Sequence, residues 1–414
     1  MSGTLFSRAV IFDGHSDSAR GPVDVRIVGS RIDAVSAAPL APLPGEKIIE
    51  AAAGNVLMPG LIDAHVHVYA WSVNLARVVR QPATYQGVAG ARFLEAALAR
   101  GFTTVRDVGG GDVGLAAAAR DGLIDGSRLV YGGRVISQTG GHGDLRPGDH
   151  ELREPIMCGC AGYADSFAVI ADGVDAVRRA VREELRRGAA HVKIMGSGGV
   201  SSPTDPLECC QYADEEIAAA VNEASRAGKY IAAHCHPDIA IHRCAELGVR
   251  SIEHATMISP ETARFVAEKG AWCVPTMAII FALLSDGERL GFPTGSMDKL
   301  RRVSDFALAG LEHMHAAGVN MGFGTDLLGE LQTRQTSEFT LRRQVLPAAA
   351  ILRSATSGNA RLLGMEGEIG VIAPGALADL LLIDGDPMVD IDVLTKPRNL
   401  RIFKGGREVV QMIK

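Results

Sequence analysis

The segment VLMPGLIDAHVH (residues 56–67) is an apolar run that ends in two histidines. Amphipathic stretches rich in Ala, Glu and Arg separate it from later apolar runs, and two of these stretches, residues 175–188 and 214–228, end at a glycine, as helices often do. Eight apolar runs alternating with helical stretches predict an α/β protein with a (β/α)8 TIM barrel. The other seven runs are residues 102–109, 128–137, 191–198, 230–237, 251–256, 271–278 and 320–327.

An open doubly wound sheet is the competing architecture for such a chain. The chain has no GxGxxG motif that opens a helix after its first strand, which disfavours this alternative. Residues 1–58 and 364–414 flank the barrel segment, residues 59–363, and both contain short strand-like runs separated by turns. Because neither end has enough strands for a stable sheet alone, we predict that the two ends pair into one small β-sandwich domain.

Composition and charge exclude several classes of function. Of the 414 residues, 47% are hydrophobic and 22% are charged, which is typical of a globular protein. The net charge is −6 and no Lys/Arg run stands out, so we expect neither nucleic acid nor a membrane surface as a partner. The chain shows no secretory pattern at its start and no run of the roughly 18 to 20 apolar residues that cross a membrane. These features favour a cytoplasmic protein with a small-molecule substrate.

Histidines at the ends of the runs suggest a metal site. His65 and His67 lie two positions apart, and the period of two in a strand places both imidazoles on one face. This pair alone is a weak signal, since two histidines can also be hydrogen-bonded core or surface residues. His234, His254 and Asp326 end three other runs, and catalytic residues of barrels come from the C-terminal ends of several strands. Imidazole with carboxylate is a ligand set that suits zinc.

Lys193 lies at the end of the fourth run, so its side chain is expected at the same mouth. An unmodified ammonium group would be repelled by bound cations there. A neutral amine can react with carbon dioxide to form a carbamate, an anion that is able to bridge two metal ions. The alternative is a lysine that reaches an acidic neighbour at the rim. If Lys193 is carboxylated, we expect metal occupancy and activity to depend on bicarbonate during assembly.

The motifs PGLIDAHVH, GFTTVRDVGG, VKIMGSGGV, AAHCH, SIEHA and GTD, followed by GALADLLLIDGDP, stand in the order found in a known family. Over essentially the whole chain, the sequence resembles the amidohydrolase superfamily, in its imidazolonepropionase-like and prolidase-like branch. The resemblance implies two Zn²⁺ ions, one held by His65 and His67 and the other by His234 and His254. It also implies that a carboxylated Lys193 bridges them.

The resemblance further implies hydrolysis of an amide bond. Asp326 is expected to bind a metal and to carry a proton from the attacking water to the departing amine. His142, among glycines in TGGHGD, resembles a position that tends to meet the substrate carboxylate, the alternative being a solvated loop histidine. Tyr212, in CCQYADEE, resembles a tyrosine that donates to the carboxylate or the developing oxyanion, the alternative being simple packing.

Other features around the predicted mouth have two interpretations. Residues 277–295 carry more aliphatic side chains than a strand requires, as an apolar lid would, or as the start of a helix with a buried stripe. Tyr69 and Trp71 are candidates for the pocket lining. Residues 108–112, VGGGD, lack the Lys-Ser/Thr of a phosphate-binding loop and are interpreted as a tight strand-to-helix turn.

The leading functional interpretation is a dipeptidase or carboxypeptidase that acts near a free carboxylate, such as an Xaa-Pro dipeptidase. A hydrolase of other small amides, carbamates, ureas or cyclic amides, including aryl amides of the mycotoxin type, would use the same centre. A deaminase is disfavoured by Lys193, because deaminases of the superfamily usually lack a lysine bridge. A relative that binds small molecules without catalysis would have lost one or more metal-ligating residues. All six candidate metal ligands are present in this sequence. A homo-oligomer is expected, as is common among the relatives.

Overall fold

The computed structural model describes residues 3–146, 167–202 and 205–409. The strands, in chain order, are β1 (Gly3–Ile11), β2 (Arg20–Val28), β3 (Arg31–Ser36), β4 (Lys47–Glu50), β5 (Val56–Pro59), β6 (Leu61–Val66), β7 (Phe102–Asp107), β8 (Arg128–Tyr131), β9 (Val135–Ser137), β10 (Ala168–Ile170), β11 (Val192–Met195), β12 (Ile231–Pro237), β13 (Ser251–Met257), β14 (Trp272–Val274), β15 (Asn320–Met321), β16 (Leu380–Ile383), β17 (Leu400–Lys404) and β18 (Arg407–Glu408).

The helices alternate with the central strands. They are α1 (Leu75–Val78), α2 (Ala83–Ala99), α3 (Val113–Arg120), α4 (Val174–Arg186), α5 (Asp214–Arg226), α6 (Asp238–Glu246), α7 (Pro260–Glu268), α8 (Met277–Asp286), α9 (Thr294–Ala316), α10 (Ser337–Arg342), α11 (Ala348–Arg353) and α12 (Asn359–Leu362). Gly188 and Gly228, which the sequence placed at helix ends, follow α4 and α5 with φ of 91° and 67°. This is the left-handed conformation that ends many helices. No helix in the described ranges is both long and apolar enough to span a membrane.

Parallel strands form the centre of the molecule, as the alternating pattern predicted. One parallel sheet has the order β6-β7-β8, and another has the order β10-β9-β11-β12-β13-β14-β15. Every one of the eight apolar runs contributes a strand. The third run is divided into β8 and β9 at Gly132 and Gly133, and Gly133 has a φ of 73°. The fold is therefore α/β with parallel sheets.

The eighth run continues past β15 as irregular backbone that lies against β6. The Ala64 amide donates to the Phe323 carbonyl at 2.7 Å, and the Asp326 amide donates to the His65 carbonyl at 2.8 Å. Close approach requires glycine here, because a Cβ on Gly324 would lie 2.6 Å from the His65 Cβ. These bonds place Asp326 beside the histidines of the first run.

The two ends of the chain pair with each other in one mixed sheet. Its order is β18-β17-β16-β5-β1-β2-β3, with β4 beside β1. The strand β16 runs antiparallel to β5, with Leu380 opposite Pro59, so the C-terminal return joins the strand that leads into the central part. Phe6 and Phe403, one from each end, pack edge to face in the core of this sheet.

Candidate metal centre

A single pocket collects the side chains that the sequence singled out as metal ligands. They lie within or just after parallel strands, and Lys193 is the second residue of β11 and not at its end as the sequence suggested. The C-terminal side of such strands is where catalytic residues are expected in this class of fold. Aliphatic side chains from α8 and α9, including Ile279, Ile280, Leu283 and Leu300, form another part of its wall. The predicted ligands in its lining are His65, His67, Lys193, His234, His254 and Asp326.

The histidines of the first run each have one nitrogen engaged and the other directed into the pocket. The His65 Nδ1 lies 2.7 Å from Glu253 Oε2, and the His67 Nδ1 donates to the Gly109 carbonyl at 2.9 Å. The His65 Nε2 is buried without a hydrogen-bond partner among the described residues. A buried imidazole nitrogen left free in this way, with its partner nitrogen oriented by a carboxylate, is the arrangement of a metal-ligating histidine.

Asp326 lies between the two groups of histidines. Its Oδ1 is 3.5 Å from His65 Nε2 and 3.3 Å from His67 Nε2, while its Oδ2 is 4.0 Å from His254 Nδ1. Burial raises the pKa of the Asp326 carboxyl, but the neighbouring His65 and His67 hold it well below the usual value. One ligand atom each from His65, His254 and Asp326 fall within 4.8 Å of one another, which is close enough for a shared cation.

The second group of histidines is oriented by hydrogen bonds as well. The His234 Nε2 is 3.3 Å from the Gly198 carbonyl, and the His254 Nδ1 is 2.8 Å from Thr276 Oγ1. Their ring centroids are 4.5 Å apart, and both residues are buried.

Lys193 lies inside the pocket and not at its rim, since only 2% of the residue is exposed. Burial lowers the pKa of its amine, although Glu253 and Asp326 attract the proton and act against this. A lowered pKa increases the fraction of neutral amine, which is the form that reacts with carbon dioxide.

Two of the predicted ligands have a strained backbone. His254 and Asp326 have φ of 70° and 56°, in the left-handed region that non-glycine residues rarely adopt. Each such residue costs of order 1–3 kcal/mol, and such conformations persist where the surroundings impose them, often at functional sites.

Sequence reasoning missed His236, although a clear signal was present. The alternation that places His65 and His67 on one face applies equally to His234 and His236 in AAHCHP. The structure places His236 in the pocket lining, and Cys235 on the opposite face with its Sγ 3.5 Å from that of Cys244.

Sequence reasoning also missed the buried ion pair beneath the pocket. Arg106 and Glu253 are both completely buried, and the guanidinium contacts both carboxylate oxygens at 2.8 and 2.9 Å. Glu253 in turn holds His65, so the pair orients a predicted ligand. The sequence signal for this pair was a charged residue inside each of two apolar runs, Arg106 in residues 102–109 and Glu253 in residues 251–256.

We expect an Arg106→Met variant to lose about 3–5 kcal/mol of unfolding free energy, because it leaves the Glu253 carboxylate buried without its countercharge. Urea titration followed by circular dichroism measures this. The exposed Arg92–Glu95 pair provides the control, and Arg92→Met should leave the unfolding free energy nearly unchanged. Equal stability of the Arg106→Met variant and the unmodified protein would show that the pair is not needed.

The two remaining catalytic candidates lie in different surroundings. His142 lines the pocket, with its Nδ1 2.7 Å from Ser202 Oγ and its ring stacked on His234 at 4.2 Å between centroids. Tyr212 does not line the pocket, but packs in a core cluster with α5 residues such as Ile217. Its hydroxyl is buried without a hydrogen-bond partner among the described residues. The structure therefore brings His142, but not Tyr212, to the predicted ligands.

The structure also shows where the other features around the predicted mouth lie relative to the pocket. Residues 277–286 form the helix α8, whose buried stripe lines the pocket, in agreement with the helical interpretation. Residues 108–112 form the turn from β7 to α3, and Asp112 caps that helix by accepting a bond from the Leu115 amide. Tyr69 and Trp71 are absent from the described pocket lining.

Known proteins resemble this chain over nearly its whole length. Ochratoxinase from Aspergillus niger is 33% identical over 362 residues, which cover 85% of this chain and 75% of that protein. A prolidase crystallised with N-methylphosphonate-L-proline is 40% identical, with a TM-score of 0.95, over 99% of this chain and 100% of the other. A Xaa-Pro dipeptidase with bound methionine is 29% identical, with a TM-score of 0.87, over 99% and 100% of the two chains.

The amidohydrolase family itself matches residues 56–409. The match includes every predicted ligand and extends through the C-terminal strands. The chain therefore belongs to the amidohydrolase family, and it is a hydrolase that acts on carbon–nitrogen bonds.

Proposed function

We propose that this protein hydrolyses the amide bond of a dipeptide or an N-acyl amino acid, as an Xaa-Pro dipeptidase or a carboxypeptidase would. The observation that carries the proposal is the convergence of imidazoles, one amine and one carboxylate in a single pocket with an aliphatic wall. The similarity to a prolidase and to a Xaa-Pro dipeptidase supports a substrate with a free carboxylate.

The proposed centre would hold two Zn²⁺ ions, one at His65 and His67 and the other at His234 and His254. A carboxylated Lys193 would supply a further anionic ligand. The free and buried Nε2 of His65 and the buried amine of Lys193 fit this donor set. When bound, such ions polarise a carbonyl group and allow water to act as a nucleophile near neutral pH.

Asp326 serves as the general base and then as the general acid. Because its carboxylate lies between both groups of histidines and is held ionised, it can accept a proton from the attacking water and deliver it to the departing nitrogen. His142 has its Nδ1 engaged by Ser202, which leaves its Nε2 to bind the substrate carboxylate. The role predicted for Tyr212 stays a prediction.

We also propose that the parallel strands close into a barrel and that the chain ends form a β-sandwich domain. The hydrogen bonds from residues 323–326 to β6, together with the bond from the Gly132 amide to the Asp107 carbonyl, support closure of the parallel strands into a (β/α)8 barrel. The pairing of both chain ends supports a β-sandwich domain of residues 1–58 and 364–414. A cytoplasmic location and a homo-oligomer stay predictions.

A substrate library assayed with added zinc tests the proposed function. We expect turnover of dipeptides and N-acyl amino acids, with at least about a hundredfold loss of kcat/KM when the carboxylate is converted to an amide, since a polar group built to bind it is left unpaired. Mass spectrometry of the products gives the cleaved bond. Turnover confined to amides that lack a carboxylate would instead establish the second candidate, a hydrolase of other small amides, which the aliphatic wall favours.

A further inference from the structure

We infer that His236 is an additional ligand of the ion that His234 and His254 hold. The inference rests on the proposed metal centre and extends it to a residue outside the ligand set assigned above. His236 is the last residue but one of β12, two residues after His234, and it is 4% exposed.

Each of the three imidazoles has one ring nitrogen within hydrogen-bond reach of an oxygen of another residue. The Nδ1 of His236 is 3.1 Å from Thr256 Oγ1, in the same way that the Nδ1 of His254 is bound by Thr276 Oγ1. In His234 it is the Nε2 that faces a carbonyl oxygen. Each ring therefore has one nitrogen engaged by a neighbour and one nitrogen left for a ligand.

Ligand atoms of the three rings are also close together. One ligand atom from each of His234, His236 and His254 fall within 4.8 Å of one another, the same spacing as in the group of His65, His254 and Asp326. The centroid of the His236 ring is 4.8 Å from that of His234 and 4.9 Å from that of His254. His234 packs edge to face against both other rings, whereas the rings of His236 and His254 are stacked. Three buried imidazoles are a donor set that suits zinc.

His142 provides a contrast within the same pocket. Its ring stacks on His234 at 4.2 Å, closer than that of His236, yet it belongs to neither group of converging ligand atoms in the described part of the chain. Its Nδ1 is bound by Ser202, and Asp205 is 3.6 Å away. Proximity to His234 alone therefore does not distinguish His142 from His236, whereas the convergence of ligand atoms with those of His234 and His254 does.

The additional ligand changes the character of this ion. With the carbamate of Lys193, the three histidines would supply four protein ligands in place of three. We therefore expect this ion to be retained more tightly than His234, His254 and the carbamate alone would hold it.

Metal retention of a His236→Gln variant tests this inference without any substrate. After dialysis against a moderate chelator, plasma mass spectrometry should find less metal per chain in the variant than in the unmodified protein. Competition with the chelator should give an affinity at least about tenfold lower for the variant. His142→Gln is the matched control and should retain metal as the unmodified protein does. Retention by His236→Gln with unchanged affinity would overturn the inference, and a rise in KM without metal loss would assign His236 to substrate binding.

A His236→Cys variant loaded with Co²⁺ gives a second measurement. A thiolate ligand at this position should add a charge-transfer absorption that the cobalt-loaded unmodified protein lacks, and this reads out coordination even if the glutamine variant folds poorly. Absence of the band in a folded, cobalt-loaded variant would count against His236 as a ligand. If the unmodified protein holds no metal at all, the proposed function fails with it, whereas normal metal content with unaffected variants removes only His236.

Discussion

A Lys193→Ala variant is expected to bind less than the full complement of metal and to lose about 10²–10⁴-fold in kcat/KM. Lys193 is 2% exposed among the predicted ligands, and alanine removes the amine on which the proposed carbamate would form. The magnitude corresponds to the several kcal/mol of charge stabilisation that a catalytic metal supplies. Plasma mass spectrometry and a continuous assay on the best substrate of the library measure the two losses.

The exposed Lys229 provides the control for this experiment, and Lys229→Ala should retain metal and rate. A carbamate makes two further results expected. Metal-free protein should regain activity faster with bicarbonate present, and short carboxylic acids should partly restore the Lys193→Ala variant by occupying the vacated space. Full metal content and full rate in Lys193→Ala would contradict a bridging role.

An Asp326→Asn variant is expected to lower kcat by a factor of roughly 10² to 10⁴, with KM little changed. The amide retains the size and one oxygen of the carboxylate, but it cannot accept the proton of the attacking water. Steady-state kinetics with the same substrate separate kcat from KM. An unchanged kcat would exclude Asp326 as the proton carrier.

The control is the same chemical change at an exposed site. Asp298 on α9 pairs with Arg301 on the surface, and its side chain is 83% exposed. Asp298→Asn should leave both kcat and KM unchanged. A fall in kcat/KM for Asp326→Asn that comes entirely from metal loss would place the residue among the ligands and not in proton transfer, so metal content is measured on the same samples.

Local sequence patterns were sufficient to predict the order of strands and helices and the candidate ligands that line the pocket. The period of two places His65 and His67 together, and glycines such as Gly188 end helices through their own backbone freedom. Both effects act over a few residues, so they can be derived before any tertiary contact is known. His236 was equally within reach of this reasoning.

Contacts between residues far apart in the sequence determine the ion pair beneath the pocket and the position of Tyr212. Arg106 and Glu253 are 147 residues apart, and only packing shows that each charge compensates the other beneath His65. Tyr212 has a favourable motif, yet its side chain packs in the core beside α5, at a backbone φ of 61° that the motif did not predict. By itself the sequence determined which side chains end the strands. The tertiary structure decided which of their nitrogens and oxygens are free, because each hydrogen-bond partner that orients a ring comes from another part of the chain.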